Sequence, residues 1–282
     1  MKTLYIINPI SGKGKKQRIA EILHAKGCKV AFTKYAGHAE MLAREADEDI
    51  VVAVGGDGTV NEVARGIIGS EKILGIIPCG SGDGLARHLG LSHNIRKAIR
   101  TIEQEEWRAM DAAEVNGRLF FSVCGVGFDA VVSERFAQSG KRGLSNYVKQ
   151  GLKTWNTYSP NRYEVEIDGK IFQTDALFIT VGNSDQWGNN AKIAPLADCC
   201  DGILDITIVE RFGILELPFL ALRLMTGTLH RSRKVHCYKG KEVRITRQNK
   251  GAAHADGDWF IDSEVLDIKI LPSALKVIVA KR

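Results

Sequence analysis

The sequence predicts two domains of different class: an α/β domain with an open, mostly parallel sheet, followed by an antiparallel β-sandwich domain. Three observations predict it. Apolar strand-length runs alternate with helix-length runs over the first hundred residues. Glycine-rich turns follow three of those strands. Beyond them, Asn-Gly and Asp-Gly pairs sit between short alternating runs. The first rhythm belongs to βαβ units and the last to hairpins.

The elements follow in order. LYIIN (4–8) reads as a strand, and 14–27 as a helix with Ile19, Ile22 and Leu23 on one side. A strand at 29–34 and a helix at 38–47 come next. DIVVAVGG (49–56) is continuously apolar, as in a parallel strand covered on both faces. A helix at 59–69, a strand at 72–80 and helices at 83–90 and 94–104 complete this half. The glycine turns at 12–14, 55–58 and 80–84 fall at strand C-terminal ends, which share one side of a parallel sheet. They are expected to converge on one phosphate site, because bare backbone N–H groups receive anions well.

After about residue 108 the rhythm changes. AAEVNGRLFFSV (112–123) and RYEVEIDGKIFQ (162–173) read as hairpins. Strands are expected at 177–183, 203–210, 241–246, 265–271 and 274–280, with one main helix at 212–227. The expected domains are 1–108 and 109–282, the last few residues returning to the first.

Composition narrows the function classes. The 282 residues are 44% hydrophobic and 26% charged, ordinary for a chain with a real core. No stretch reaches the 18 or so uninterrupted apolar residues of a membrane span. The N-terminal stretch reads as a short strand running into a basic glycine turn, without a signal-peptide core; the cytoplasmic location expected here comes from the cysteines. The six cysteines have no C-x-x-C or disulfide-like spacing and read as reduced thiols. Net charge is +6; residues 231–250 hold eight Lys/Arg and one Glu, +7, leaving about −1 for the rest. Such a run reads as a solvated face or as a surface that meets anionic lipid or nucleic acid, and an anionic membrane surface is the partner expected of it. With no recognition motif, nucleic acid is not an expected partner.

The turn GGDGTVNEV (55–63) is neither the dinucleotide nor the Walker pattern. Gly55, Gly56 and Gly58 allow close backbone approach, and Thr59 offers a hydroxyl at a helix start. Asn61 and Glu62 are expected to face the same crevice. Asp57 stands in the middle of the turn. A carboxylate there implies that a cation or an acceptor proton lies nearby.

Together, N-P-I-S-G-K-G (8–14), G-G-D-G-T-V-N-E-V (55–63) and P-C-G-S-G-D-G-L-A-R (78–87) resemble the diacylglycerol kinase catalytic-domain family. That family includes bacterial lipid kinases and sphingosine kinases. G-N-S-D-Q-W-G-N-N (182–190), L-A-D-C-C-D-G-I-L-D (196–205) and H-A-D-G-D (254–258) carry the likeness through the second half. It implies a first domain related to NAD kinases and phosphofructokinases, a second that helps hold the lipid, and transfer of the ATP γ-phosphoryl group to a lipid hydroxyl with Mg²⁺.

The resemblance also implies roles. Gly55, Gly56, Asp57, Gly58, Thr59, Val60 and Asn61 would bind the ATP phosphates, with Thr33, Ser81 and Lys13 as further contacts. Asp57 would face the nucleotide's magnesium or the acceptor hydroxyl. Asp258 stands where a D-G-E motif has its catalytic glutamate, one methylene shorter, with Asp256 a further candidate. Asp198, Asp201 and Ile203 would hold a structural magnesium. Asp129, in G-V-G-F-D-A, is a candidate headgroup contact. The third turn, G-S-G-D-G-L-A, is closer to the G-S-G-N-x-L-A of sphingosine kinases than to the G-T-x-N-D-F-A of many bacterial diacylglycerol kinases. The acceptor is therefore a diacylglycerol-type glycerolipid or a sphingoid base. An NAD kinase-like enzyme and a nucleotide-binding regulator without turnover are the alternatives. A peripheral membrane location is expected, and a homodimer is compatible with the sequence.

Overall fold

The computed structural model describes residues 1–10, 15–140, 144–155 and 157–281. The chain divides into two compact units, Met1–Asp111 with Pro272–Arg282, and Ala112–Leu271.

The first unit runs β1 (Thr3–Ile7), α1 (Lys15–Ala25), β2 (Lys29–Phe32), α2 (His38–Glu45), β3 (Ile50–Gly55), α3 (Asp57–Ile67), β4 (Ile73–Pro78), α4 (Gly84–His88) and α5 (Ile95–Glu103). Its strands lie in the order β2-β1-β3-β4, all parallel. Tyr5, Ile7, Val52, Val54, Ile73 and Ile77 pack with Ile19 and Leu23 of α1 and with Ala98, Ile99 and Ile102 of α5. The alternate residues Ile6, Val51, Ala53, Leu74 and Ile76 are equally buried, and α3 packs on β3 and β4. Both faces are covered, which explains the continuous apolar runs. The strands β1, β3 and β4 therefore end side by side, and the turns that follow β3 and β4 are neighbours.

The second unit is a sandwich with helices on one side. Its elements are β5 (Trp107–Val115, which enters from the first unit), β6 (Arg118–Phe120), β7 (Val123–Gly127), α6 (Phe128–Gln138), α7 (Leu144–Trp155), β8 (Asn161–Ile167) and β9 (Lys170–Ala176). Next come β10 (Phe178–Gly182), β11 (Leu204–Val209), α8 (Leu217–Thr226), β12 (Val235–Gly240), β13 (Glu242–Arg247), β14 (Gly251–Ala255), β15 (Asp258–Asp262) and β16 (Val265–Ile278). One sheet has the order β12-β11-β10-β7-β14-β15, antiparallel throughout. The other contains β16, β13, β8 and β9 in that order, with β5 and β6 attached. Val165, Val243, Ile245, Leu266 and Ile268 of the second sheet meet Val126, Ile179, Val181, Ile206 and Ile208 of the first.

Strands β8 and β13 alternate buried and exposed residues, so one face meets water. Strands β10 and β11 are buried throughout. Their sheet's other face is covered by a cluster that includes Phe178, Val209, Phe128, Trp155, Phe212 and Leu220. The end of β16 returns to the first unit and pairs parallel to β4, Lys276 opposite Ile73 and Val277 opposite Leu74.

Several elements differ from the sequence reading. Helices α6 and α7 were not expected; α7 exposes Val148 and Leu152 and so presents no clean apolar stripe. Strand β12 and the β14–β15 hairpin were also unread, although Asp256-Gly257 is the same turn signal as Asp168-Gly169. The helix expected over 212–227 is α8, preceded by a 3₁₀ turn at Ile214–Glu216. The strands at 265–271 and 274–280 are one strand. The irregularity at Ser273 (φ 52) is held by its N–H donating to Asp111 Oδ1 at 2.7 Å.

The contact of α5 with the sheet is close. A Cβ on Gly75 would stand 2.8 Å from both Ile102 Cδ1 and Val52 Cγ2. Gly75→Ala should therefore lower stability by about 1–3 kcal/mol, read as a lower urea midpoint with unchanged slope. An unchanged midpoint would mean that α5 does not seat against β4 in this way.

Candidate functional site

The first group of site residues gathers at the C-terminal edge of the parallel sheet. Gly55 closes β3, Gly56 precedes α3, and Asp57, Gly58, Thr59, Val60 and Asn61 form the start of that helix. The first N–H groups of a helix have no partner within it, and its dipole favours an anion there. Thr33 follows β2 and is buried, its N–H bonded to Ile7 O at 3.0 Å. Asn8, after β1, donates from Nδ2 to Thr59 Oγ1 at 3.1 Å. Ser81 is exposed in the β4–α4 turn. Lys13 and the turn at 12–14 lie outside the described residues. Lys16 reaches back to Pro9 O, and burial holds its ammonium below the ordinary pKa. Val60 is buried, so it contributes backbone rather than side chain at the edge.

Asp57 has a specific use. Its Oδ2 accepts the Asp83 N–H at 2.8 Å, and its Oδ1 accepts the Gly84 N–H at 2.7 Å. These donors are the N-cap and first residue of α4, whose own N-cap residue makes no side-chain capping bond. The carboxylate of one glycine turn thus caps the helix that follows the other. The backbones meet as well. A Cβ on Gly80 would lie 2.7 Å from Gly56 Cα, and one on Gly82 would lie 2.7 Å from Asp57 Oδ2. Gly58 is different: a Cβ there would meet nothing within 4 Å, and its φ is not in the positive range. Packing among the described residues does not require glycine at 58, although alanine would favour the helix by about 1 kcal/mol. Glu62 departs from expectation: its Oε2 accepts the Ala39 N–H at 3.0 Å and so serves α2.

The second unit holds the remaining carboxylates. Asp256 and Gly257 form the two-residue turn between β14 and β15, with φ 51 and 86, the positive values of a type I′ hairpin. The Asp256 carboxylate accepts N–H groups from Phe121 (2.8 Å), Ser122 (2.8 Å) and Val123 (2.9 Å). Burial pushes its pKa above the ordinary 3.8, although those bonds and His254 pull it down. Asp258 begins β15 and is exposed.

Sequence reasoning did not assemble the buried group beside this hairpin. Asp129 Oδ2 accepts from Thr180 Oγ1 at 3.1 Å and lies 3.0 Å from His254 Nε2. A Cβ on Gly125 would strike both Asp129 Oδ2 (2.5 Å) and His254 Nε2 (2.8 Å). The signal was present in the glycine of G-V-G-F-D, but the partners come from three separate elements.

The expected magnesium ligands lie before β11. Asp198 Oδ1 accepts the Cys200 N–H at 3.1 Å, and Asp198 O accepts the Asp201 N–H at 3.3 Å. Asp201 Oδ1 accepts the Ile203 N–H at 3.1 Å. Asp201 Oδ2 faces Lys239 Nζ at 3.4 Å, and the same ammonium lies 3.3 Å from Asp205 Oδ2. Strand register places Asp205 directly opposite Lys239. One lysine therefore lies against two carboxylates, Asp201 and Asp205, where a divalent cation was expected, and the buried Asp205 Oδ2 is left without a hydrogen-bond partner.

Four of the eight Lys/Arg of the run at 231–250 are engaged: Lys234, Lys239, Arg244 and Arg247. Lys234 and His236 face Glu210, and Arg244 pairs with Asp267 at 2.6 Å. Arg247 donates to the carbonyls of Gly251, Ala252, Asp262 and Ser263. Arg231, Arg233, Lys241 and Lys250 are exposed. A more prominent surface feature is α8 with its preceding turn, where Leu215 is 84%, Phe219 69% and Leu222 63% exposed. No helix among the described residues is long and apolar enough to cross a membrane.

Comparison with known proteins follows the same division. Residues 2–115 match the model of the diacylglycerol kinase catalytic domain. Residues 122–279 match that of the YegS C-terminal NAD kinase beta sandwich-like domain. Over 275 residues the chain is 28% identical to a diacylglycerol kinase of Bacillus subtilis, covering 90% of this chain and 88% of that protein. A diacylglycerol kinase of Staphylococcus saprophyticus is 29% identical over 269 residues, with the same coverage, 90% and 88%. A solved structure from Bacillus anthracis superposes with TM-score 0.80 at 25% identity, covering 99% of this chain and 96% of that one.

Two outcomes test this geometry. An acid whose pKa is raised by folding is more protonated folded than unfolded. Its contribution to stability therefore falls as pH rises from about the unfolded value of 3.8 through the raised folded value. Asp256→Asn removes that dependence. The stability gap between wild type and Asp256→Asn should narrow as pH rises across this window in urea titrations, and a constant gap would refute the assignment. At the lysine site, chelation with EDTA should leave the thermal midpoint of the nucleotide-free protein unchanged. Lys239→Met should lower that midpoint by a few degrees; a wild-type midpoint that needs Mg²⁺, and loses that need in Asp201→Asn, would restore the metal site.

Proposed function

Because this chain belongs to the diacylglycerol kinase catalytic-domain family, we propose that it transfers the γ-phosphoryl group of ATP to the hydroxyl of a diacylglycerol-type lipid. The lipid-kinase activity follows from relatives of near-full-length match that carry that name. ATP and the acceptor class are the finer part of the reading. The observation that carries it is the pair of glycine turns joined by Asp57, at the open edge of a parallel sheet.

Phosphoryl transfer asks a protein chiefly for positioning and charge neutralisation. On this reading the start of α3 and the β4–α4 turn receive the phosphates of magnesium-bound ATP. Gly58 admits the phosphate chain, and Thr59, Ser81 and Lys16 supply polar contacts. The acceptor oxygen attacks the γ-phosphorus. The bond from that phosphorus to the β–γ bridging oxygen breaks, and ADP leaves. The hydroxyl proton passes to a carboxylate, for which Asp258 is the candidate. Asp57 acts as a positioning residue. The sphingoid-base reading keeps one sequence feature in its favour, the G-S-G of the third turn, whereas the names of the relatives favour a glycerolipid.

We infer that the membrane contact is α8 together with the exposed arginines that open the basic run. Leu215, Phe219 and Leu222 project outward at helical spacing, and Arg211, Arg231 and Arg233 flank them in sequence, all exposed. Apolar insertion with basic neighbours is how an interfacial helix holds an anionic surface.

Labelled-phosphate transfer from ATP to a panel of diacylglycerol, sphingosine and NAD tests the activity. Diacylglycerol should be the best acceptor, and a protein that phosphorylates only NAD would reject the proposal. Asp57→Asn places an amide N–H against an N–H donor. It should reduce turnover by about 100-fold or more, as misplacement near 1 Å does, and lower stability by about 1–3 kcal/mol. Phe219→Glu with Leu222→Glu should abolish sedimentation with phosphatidylglycerol vesicles while leaving the unfolding midpoint unaltered. Retained sedimentation would move the contact elsewhere.

A further inference from the structure

The second unit contains a cavity of about 240 Å³, lined by the start of α6, the approach to β8 and the loop from β13 to β14. Its polar walls come from Tyr158, Asn161, Arg162, Tyr163, Arg247 and Lys250. Three of these residues are cations, and no aspartate or glutamate lines the cavity.

Arg247, the last residue of β13, is half-buried and held in place by backbone alone. Its Nε donates to Ser263 O at 3.1 Å, and its Nη1 to Ala252 O at 2.8 Å. Its Nη2 donates to the carbonyls of Gly251 (2.8 Å), Asp262 (3.1 Å) and Ser263 (3.0 Å). Among the described residues no carboxylate stands within ion-pair distance of it; the Asp262 carboxylate accepts the Ser263 N–H at 2.7 Å instead. Burial accordingly lowers the guanidinium pKa. Carbonyls orient this cation without neutralising it, and a desolvated charge gains most from an anion that arrives later. The approach is left open by Gly251, where a Cβ would lie 3.4 Å from Arg247 Nη1.

The other two cations are also held by neutral groups. Arg162 is exposed, and its Nε and Nη2 both donate to Gln173 Oε1, at 3.1 and 2.6 Å. Lys250 is exposed and makes no ion pair among the described residues. Elsewhere in the sandwich the pattern is different: Arg244, Lys239 and Lys269 each face a carboxylate. Hydroxyl groups complete the wall. Asn161 Nδ2 lies 2.9 Å from Tyr158 Oη and 3.5 Å from Tyr163 Oη, which sets both phenols beside the guanidinium. Unanswered cations, phenol hydroxyls and a small volume suit a compact anion of high charge. A phosphate monoester carries close to two negative charges at neutral pH, and a guanidinium fork matches its oxygens. The space admits a phosphate group and a few carbons.

We propose that this cavity binds a phosphate monoester, with Arg247 as its fixed cation and Arg162 and Lys250 completing it from the rim. Two sources carry that group: a free phosphate ester, and the headgroup of a phosphorylated lipid of the kind a lipid kinase makes. No residue of the nucleotide turns takes part, so the inference stands apart from the nucleotide reading.

Isothermal titration of the full chain with glycerol 3-phosphate, with dioctanoyl phosphatidate below its micellar concentration, and with glycerol as the neutral control tests this. The variant is Arg162→Gln with Lys250→Gln. Arg247 is left intact because its bonds hold the β13–β14 loop. Both substituted residues are exposed, so the unfolding midpoint should not move. At least one phosphate ester should bind wild type, and the variant should bind it about tenfold more weakly or worse, as expected when two charge-assisted contacts are lost. Binding of glycerol 3-phosphate would identify a free ester as sufficient; binding of dioctanoyl phosphatidate alone would identify the lipid headgroup. A second variant, Arg96→Gln with Arg100→Gln, removes two exposed charges from α5 and should bind as wild type does. The inference is overturned if neither ester binds, if glycerol binds equally well, if the first variant binds undiminished, or if the α5 variant loses as much.

Discussion

The carboxylate of Asp57 joins its own turn to the next one by taking the N–H groups of Asp83 and Gly84, 26 and 27 residues further along the chain. Each oxygen takes one backbone N–H, and a hydrogen bond to a charged group contributes about 1.5–3 kcal/mol. The surrounding glycines follow from that junction. Gly82 leaves room for the carboxylate, and Gly56 and Gly80 let the two backbones touch. A negative charge inside a glycine-rich turn looks unsuited to phosphate. It is directed at the amides of the neighbouring turn, where it completes the start of a five-residue helix that has no capping side chain of its own. The open positions, Gly58 and Ser81, are those that carry no such duty.

The second unit uses the same device twice. Asp168 and Asp256 each open an Asp-Gly hairpin turn with positive φ at both residues. The Asp168 carboxylate takes the N–H groups of Lys241 and Glu242, both at 2.9 Å. The Asp256 carboxylate takes three. A turn aspartate that grips an adjacent loop ties one hairpin to another, which the strand ladders alone do not do. The two differ in burial: Asp168 is exposed, whereas burial raises the Asp256 carboxyl. The Asp-Gly dipeptide is therefore no guide to chemistry by itself. In H-A-D-G-D the first aspartate anchors the turn and the last stands outside it, on the first residue of the returning strand.

Much of the fold was legible, for physical reasons that also mark its limits. The βαβ half could be read because β1, β3 and β4 are apolar over their whole length and glycines follow them. The sandwich could be read from two-residue alternation in β8 and β13. Helices α6 and α7 escaped because one follows directly on a glycine strand and the other exposes part of its apolar surface. At the site, the glycine turns were visible from spacing, but their partners were not. Asp83 reaches His93 only through a left-handed backbone. Lys239 meets Asp205 only through strand register. Neither follows from a local pattern, because each pairing is made by chain segments that come together on folding.

The charge distribution makes the same point in reverse. A run of +7 in twenty residues suggests a basic surface. Once β12 and β13 are paired, Glu210, Asp201, Asp205 and Asp267 answer four of its basic groups, and backbone carbonyls answer Arg247. An apolar helix, by contrast, suggests burial, yet α8 buries Leu220 and leaves Phe219 and Leu222 to solvent. Exposed apolar residues scattered singly are ordinary; three at helical spacing with arginines on either side are not. Surface charge disperses when its counter-ions arrive from other strands, whereas an unpartnered apolar face persists until something outside the chain covers it. The proposed membrane contact rests on that unpartnered face, while Arg231, Arg233, Lys241 and Lys250 of the basic run also remain exposed.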